Sequence, residues 1–135
     1  MGQIHELTDL QLAILRVLWD RGSASAAEVT EALRPERQLA QQTVATVLTR
    51  LERRGIVDHE TRQRQYIYIP RVTEPEVRRS MLAAFTDRLF GGDVAALVNH
   101  LLSDKEISRG DLARVRKLIA AHASRRGRSK AHDGN

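Results

Sequence analysis

The stretch Gln41-Gln42-Thr43-Val44-Ala45-Thr46-Val47-Leu48-Thr49-Arg50-Leu51-Glu52-Arg53-Arg54-Gly55 restricts this chain to few folds. Val44, Val47, Leu48 and Leu51 recur at helical spacing, so they share one face that must be buried. The face left outside holds Gln42, Thr43, Ala45, Thr46, Thr49, Arg50 and Arg53, and Glu52 is the only carboxylate in the stretch. Gly55 stands where a helix ends in a left-handed residue. Two short β-branched and aromatic strands are predicted next, over Ile56 to Glu60 and Gln65 to Ile69, with Arg62 and Arg64 about their turn and Pro70 as the stop. An outer helical face that is small, hydroxylated and cationic suits a duplex groove. Small residues permit close approach, arginine reaches base edges and phosphates, and an acid would be repelled.

The segments before it complete a recognisable order. Thr8-Asp9-Leu10-Gln11 fits a capping box, with Leu7 and Leu12 spaced for a hydrophobic staple, and Leu10, Ile14, Val17 and Leu18 continue the buried stripe to Asp20-Arg21-Gly22. Ser25-Ala26-Ala27-Glu28 is a second capping box, opening a short helix through Val29 to Leu33 that Pro35 closes. The third helix has a poorly marked start, because Ala40 and Gln41 are weak caps. Three helices and then a hairpin make a winged helix-turn-helix, with the third helix as reader and the hairpin as a basic wing. An ordinary amphipathic surface helix is the plain alternative for the third segment taken alone.

The remainder reads as helical. Thr73-Glu74-Pro75-Glu76 combines an N-cap, an early proline and a capping-box glutamate, followed by Val77, Met81, Phe85 and Leu89 at helical spacing. Gly91-Gly92 breaks the chain, Asp93 caps a helix bearing Val94, Leu97, Val98, Leu101 and Leu102, and Ser108 caps another bearing Leu112, Val115, Leu118 and Ile119. The fold class is therefore mostly α with a small β-hairpin: a winged-helix domain over 1–72, a helical dimerisation domain over 73–124, and a basic tail over 125–135, expected to be disordered. The winged domain already has core residues enough. Further apolar stripes of this size mark a partner surface, and a twofold homodimer suits a reader of half-sites about one helical turn apart. Val77, Met81, Phe85, Leu89, Val94, Leu97, Val98, Leu101, Leu112, Val115, Leu118 and Ile119 are the expected dimerisation residues.

Composition sharpens the partner. The net charge of +5 is unevenly placed: 4 basic and 6 acidic residues in 1–37, 6 and 3 in 38–71, 8 and 7 in 72–124, and 4 and 1 in 125–135. The excess lies on the helix-and-wing segment and on the tail, which fits a polyanion. With 0 cysteines there are no disulfides or thiolate sites. No apolar run approaches a membrane span and the start is unlike a signal peptide, so a cytoplasmic location is expected, without a membrane partner. The 5 histidines are scattered, so no metal or cofactor is expected. No serine sits in a nucleophile elbow, Gly91-Gly92 is a helix break rather than a phosphate loop, and nothing assembles a catalytic constellation; the protein is not expected to be an enzyme. Trp19 reads as core or interface. Arg53 and Arg54 also suit the dipole of a last helical turn. Arg62, Gln63 and Arg64 also suit a soluble hairpin tip. Arg125, Arg126, Arg128 and Lys130 either grip DNA or keep the protein soluble.

Over roughly Leu7 to Ile119 the chain resembles the penicillinase-repressor family, winged-helix repressors of β-lactamase and methicillin-resistance genes. Leu7-Thr8-Asp9 through Leu18-Trp19, Thr43 to Leu51 with Arg53-Arg54-Gly55, and Phe90-Gly91-Gly92-Asp93 carry the resemblance. It implies a dimeric repressor on an inverted-repeat operator, with Thr43, Thr46 and Arg50 facing DNA and with Arg62 and Arg64 in a backbone-contacting wing. It also implies a protease partner that relieves repression by cutting an Asn-Phe bond in the dimerisation region. Here His100-Leu101 occupies that place, with Asn99 one position early. The copper-responsive branch uses a cysteine motif that this chain lacks. The expected DNA-binding residues are Gln42, Thr43, Thr46, Thr49, Arg50, Arg53, Arg62 and Arg64. A protein-interaction adaptor and a small-molecule-sensing winged-helix regulator are the rival readings.

Overall fold

Capping chemistry sets the helix boundaries. In the computed structural model, which describes residues 3–103 and 107–133, with side chains described for 4–103 and 107–126, α1 spans Asp9–Arg21 and α2 spans Ala26–Leu33. Both open on a complete capping box. The Thr8 hydroxyl accepts from the Gln11 amide at 3.1 Å while Gln11 Oε1 accepts from the Thr8 amide at 2.9 Å. Ser25 and Glu28 repeat the exchange at 3.1 and 3.0 Å. The backbone amide of Ser25, and then its hydroxyl, hold the Glu28 carboxyl below its ordinary range.

The third helix, α3, spans Gln41–Arg53. Strands β2 (Val57–Arg62) and β3 (Gln65–Pro70) form the hairpin, and a two-residue strand β1 (Ala24–Ser25) adds to its other edge, so the antiparallel order is β1-β3-β2. Strand β1 has no signature in the sequence, because two residues carry no alternation and Ser25 is already explained as a cap. The strands also run closer to the turn than their composition suggested. Arg62 pairs with Gln65, leaving only Gln63 and Arg64 between them.

Ile14, Leu15 and Leu18 of α1, Val29 of α2, and Val44, Leu48 and Leu51 of α3 are wholly buried together, with Val57 and Tyr68 from the hairpin beside them. Trp19 packs partly buried against this core and donates its indole N–H to the Val72 carbonyl at 2.9 Å. The helix α4 (Glu74–Phe90) follows a third reciprocal cap at Thr73 and Glu76. Its Val77 is 2% exposed within the same core. Two compact units result, divided between Leu89 and Phe90 rather than at 72/73. The boundary moves because Val77 and Met81 fill the winged domain's own core. Val77 is therefore a core residue, not part of a stripe available to a partner.

In the second unit α5 spans Val94–Ser103, capped by Asp93, and α6 spans Arg109–Asp133, capped by Ser108. The tail expected to be disordered from 125 is helical to Asp133, an outcome consistent with Arg125, Arg126, Arg128, Lys130 and Ala131, which are strong helix formers. No helix among the described residues is long and apolar enough to cross a membrane.

The exit from α3 fixes where the wing begins. The Ile56 amide donates to Leu51 O at 3.0 Å and the Gly55 amide to Glu52 O at 2.9 Å, with Gly55 at φ 77°. This pair of bonds is the Schellman motif. A Cβ placed on Gly55 meets nothing within 4 Å, so the glycine serves the backbone angle and not the space. Gly55→Ala should therefore destabilise the fold by about 1–2 kcal/mol, the cost of a left-handed non-glycine residue. Chemical denaturation measures it, and an unchanged midpoint would show that the turn tolerates a side chain.

Candidate nucleic-acid interface

Burying Val44, Leu48 and Leu51 leaves the rest of α3 no choice of direction. Gln42, Thr43, Thr46, Thr49, Arg50 and Arg53 all lie exposed on the outer side, as the helical period requires. Glu52, the segment's single carboxylate, is turned to the hairpin instead. Its Oε1 lies 2.6 Å from His59 Nδ1, and His59 stacks on Tyr66 with ring centroids 4.1 Å apart. The acid that would repel a polyanion is thus tied down, and the same contact anchors the wing to the helix.

The two threonines are more constrained than the sequence suggested. Thr46 Oγ1 donates to the Gln42 carbonyl at 2.9 Å and Thr49 Oγ1 to the Ala45 carbonyl at 3.0 Å. With their protons committed to the helix, these hydroxyls can only accept from outside, and their methyl groups become the other feature on offer. Thr49 also interacts through its hydroxyl with Tyr68, whose phenol is pushed above its ordinary value chiefly by burial. Thr49 therefore links the outer face to the core.

The start of α3 differs from that of every other described α-helix. Its N-cap, Ala40, makes no side-chain hydrogen bond, whereas α1, α2, α4, α5 and α6 are each capped by a hydroxyl or carboxylate. No acid occupies its first turn. Amides there remain open to an external acceptor, and the helix dipole adds positive character. Beside them an open hollow of about 240 Å³ is lined by Ser25, Ala26, Ala27, Gln41, Ala45, Gln65, Tyr66 and Tyr68.

The wing arginines are unequal. Arg62 forks onto Glu60 Oε2 through Nε at 3.2 Å and Nη2 at 2.8 Å, which neutralises much of its charge. Arg64 is exposed at the tip, and among the described residues it has no carboxylate partner. Gln63 and Arg64 both take positive φ, 49° and 68°, the signs of a type I′ hairpin turn that ordinarily selects Asn-Gly. The sequence reading missed Tyr66, an exposed aromatic on the face of β3 that also carries Tyr68; its place next to the turn was the available signal.

Residues 7–121 match the family model described as penicillinase repressor. The chain belongs to the penicillinase repressor family. It is 23% identical over 126 residues to the penicillinase repressor of Bacillus licheniformis, covering 93% of this chain and 98% of that one. It is 20% identical over 118 residues to the methicillin resistance regulatory protein MecI of Mammaliicoccus sciuri, covering 87% and 96%. Among solved structures, the DNA-binding domain of the repressor BlaI aligns at 28% identity over 55% of this chain and 90% of that one, with a TM-score of 0.49. As a member of this family the chain is a winged-helix, DNA-binding repressor related to regulators of antibiotic resistance.

The turn yields a test with two readouts of opposite sign. Arg64→Gly should relieve the left-handed strain and raise stability by about 1 kcal/mol. It should also lower the slope of log affinity against log salt by about 0.9, the value of one lost phosphate contact. Denaturation and salt-titrated DNA binding of the same variant check both, and a gain in stability with an unchanged slope would remove Arg64 from the interface.

Proposed function

We propose that the protein represses transcription as a cytoplasmic homodimer on an inverted-repeat operator, each α3 reading one half-site. The observation that carries the reading is the outer face of α3: exposed Gln42, Thr43, Thr46, Arg50 and Arg53, open amides at its start, and its carboxylate turned away. Arg64 and the α3 amides would hold phosphates and set the register. Arg50 would give a bidentate contact to guanine, and the methyls of Thr46 and Thr49 apolar contact to thymine. Arg62 would join the wing's contacts only by leaving Glu60.

The second unit supports the homodimer. No residue of α5 is buried, and Val94, Val98, Leu101, Leu102, Leu118 and Ile119 are all exposed in the single chain, as are Phe85 and Leu89 of α4. Leu97, Leu112, Val115 and Met81 are only partly covered. An apolar surface of that extent suits a second copy carrying the same stripes. Because one half-site holds weakly, separating the protomers would release the operator. A protease would achieve this, yet His100-Leu101 lacks the side chains of an Asn-Phe site, and a site built on polar contacts strongly rejects analogues without them. A different inducing event is therefore part of the proposal.

The adaptor reading leaves the basic outer face of α3 unexplained. The ligand-sensing reading needs an enclosed polar-lined cavity, whereas the hollow of about 450 Å³ between α1 and α4 and that of about 1030 Å³ beside His5, Glu6, Asp87 and Arg88 are both open to solvent.

Arg50→Ala tests the reading. Loss of a bidentate base contact should cost about 1–3 kcal/mol on the operator and leave scrambled duplex nearly unaffected. Competition between the two duplexes measures this. Equal losses on both would reduce Arg50 to a phosphate contact.

A further inference from the structure

The helix α6 carries a charge pattern that the reader helix and the dimer do not use. Between Arg109 and Arg126 the helix bears Arg109, Arg114, Arg116, Lys117, Arg125 and Arg126 against the single acid Asp111. All six cations are exposed. Among the described residues only Arg114 has a carboxylate near it, Asp111 at 3.9 Å. The sequence continues with Arg128 and Lys130 before the next acid, Asp133. The family model itself ends at residue 121, before the most basic turns.

Two features identify the partner. The apolar stripe of α6 ends at Ile119, and from residue 120 to 131 no apolar side chain larger than alanine occurs. A helix that lies on a bilayer needs large apolar residues beside its basic ones. A helix that lies along a duplex needs small residues and cations, and this segment has Ala120, Ala121, Ala123 and Ser124 next to Arg125 and Arg126. The cations also extend over several turns, farther than helix-dipole complementation reaches, since that effect fades within the last turn.

We infer that the extension of α6 beyond residue 121 is a second, sequence-independent contact to the sugar-phosphate backbone of duplex DNA. It rests on the reading of the protein as a DNA binder and adds to it a surface outside the winged domain. The extension is tied to α3 through the chain, so on a duplex that α3 already holds even weak contacts would add to residence. Its contribution must appear on any sequence and vanish with salt.

The test uses the full chain and the charge-reversed variant Arg125→Glu with Arg126→Glu, together with Arg125→Lys and Arg126→Lys. Binding is titrated with salt on a minimal operator duplex, on the operator within long flanks, and on a long scrambled duplex. Charge reversal should lower the salt slope on both long duplexes by about 1–2 and weaken them about tenfold near physiological salt. The minimal duplex should change little and the lysine variant should match the parent. Unchanged slopes on both long duplexes, with operator binding intact in the parent, would overturn this inference alone. A parent that bound no duplex would overturn the DNA reading as well. Loss of binding to phosphatidylserine vesicles with DNA binding unchanged would assign the helix to a membrane surface instead.

Discussion

Everything the protein presents to DNA depends on one buried stripe. Val44, Leu48 and Leu51 have no solvent exposure, and truncating a leucine in such a site costs about 2–5 kcal/mol. That anchoring sets the rotation of α3 about its axis. A slip by one residue would turn Arg50 through about 100° and carry polar side chains toward the core. The outer face is thereby positioned by the inner one.

The ends of α3 extend the same arrangement. At its start the usual side-chain cap is absent, so the amides are left for an external acceptor. At its end the Schellman bonds of Gly55 and Ile56 turn the chain into β2, and the Glu52–His59 contact fastens the hairpin to the helix. Local stability is given up at the N-terminus and at the strained Gln63-Arg64 turn. Both lie on the face proposed to meet DNA, and departures from local preference tend to cluster at functional sites.

Sequence made most of this legible because periodicity and capping are local. The boxes at Thr8 and Ser25, the stripe of α3 and the hairpin could all be read without tertiary information. What escaped was nonlocal. Strand β1 exists only because β3 offers an edge, and the pairing of Arg62 with Glu60 and the inward turn of Glu52 depend on side-chain geometry. Val77 looked like one more residue of a partner-facing stripe, since spacing cannot tell which core a helix serves. The tail from 125 suggested disorder by its charge, while its arginines, Lys130 and Ala131 favour a helix.

The surplus apolar surface of the second unit and the single reader helix of the first both fit the proposal of a twofold partner on a twofold site. Selection of duplexes from a random library by the purified full chain tests that proposal most directly. The account predicts an enriched inverted repeat whose half-sites lie about one helical turn, or a multiple of it, apart. Enrichment of a single unrepeated half-site, or of no sequence at all, would contradict it.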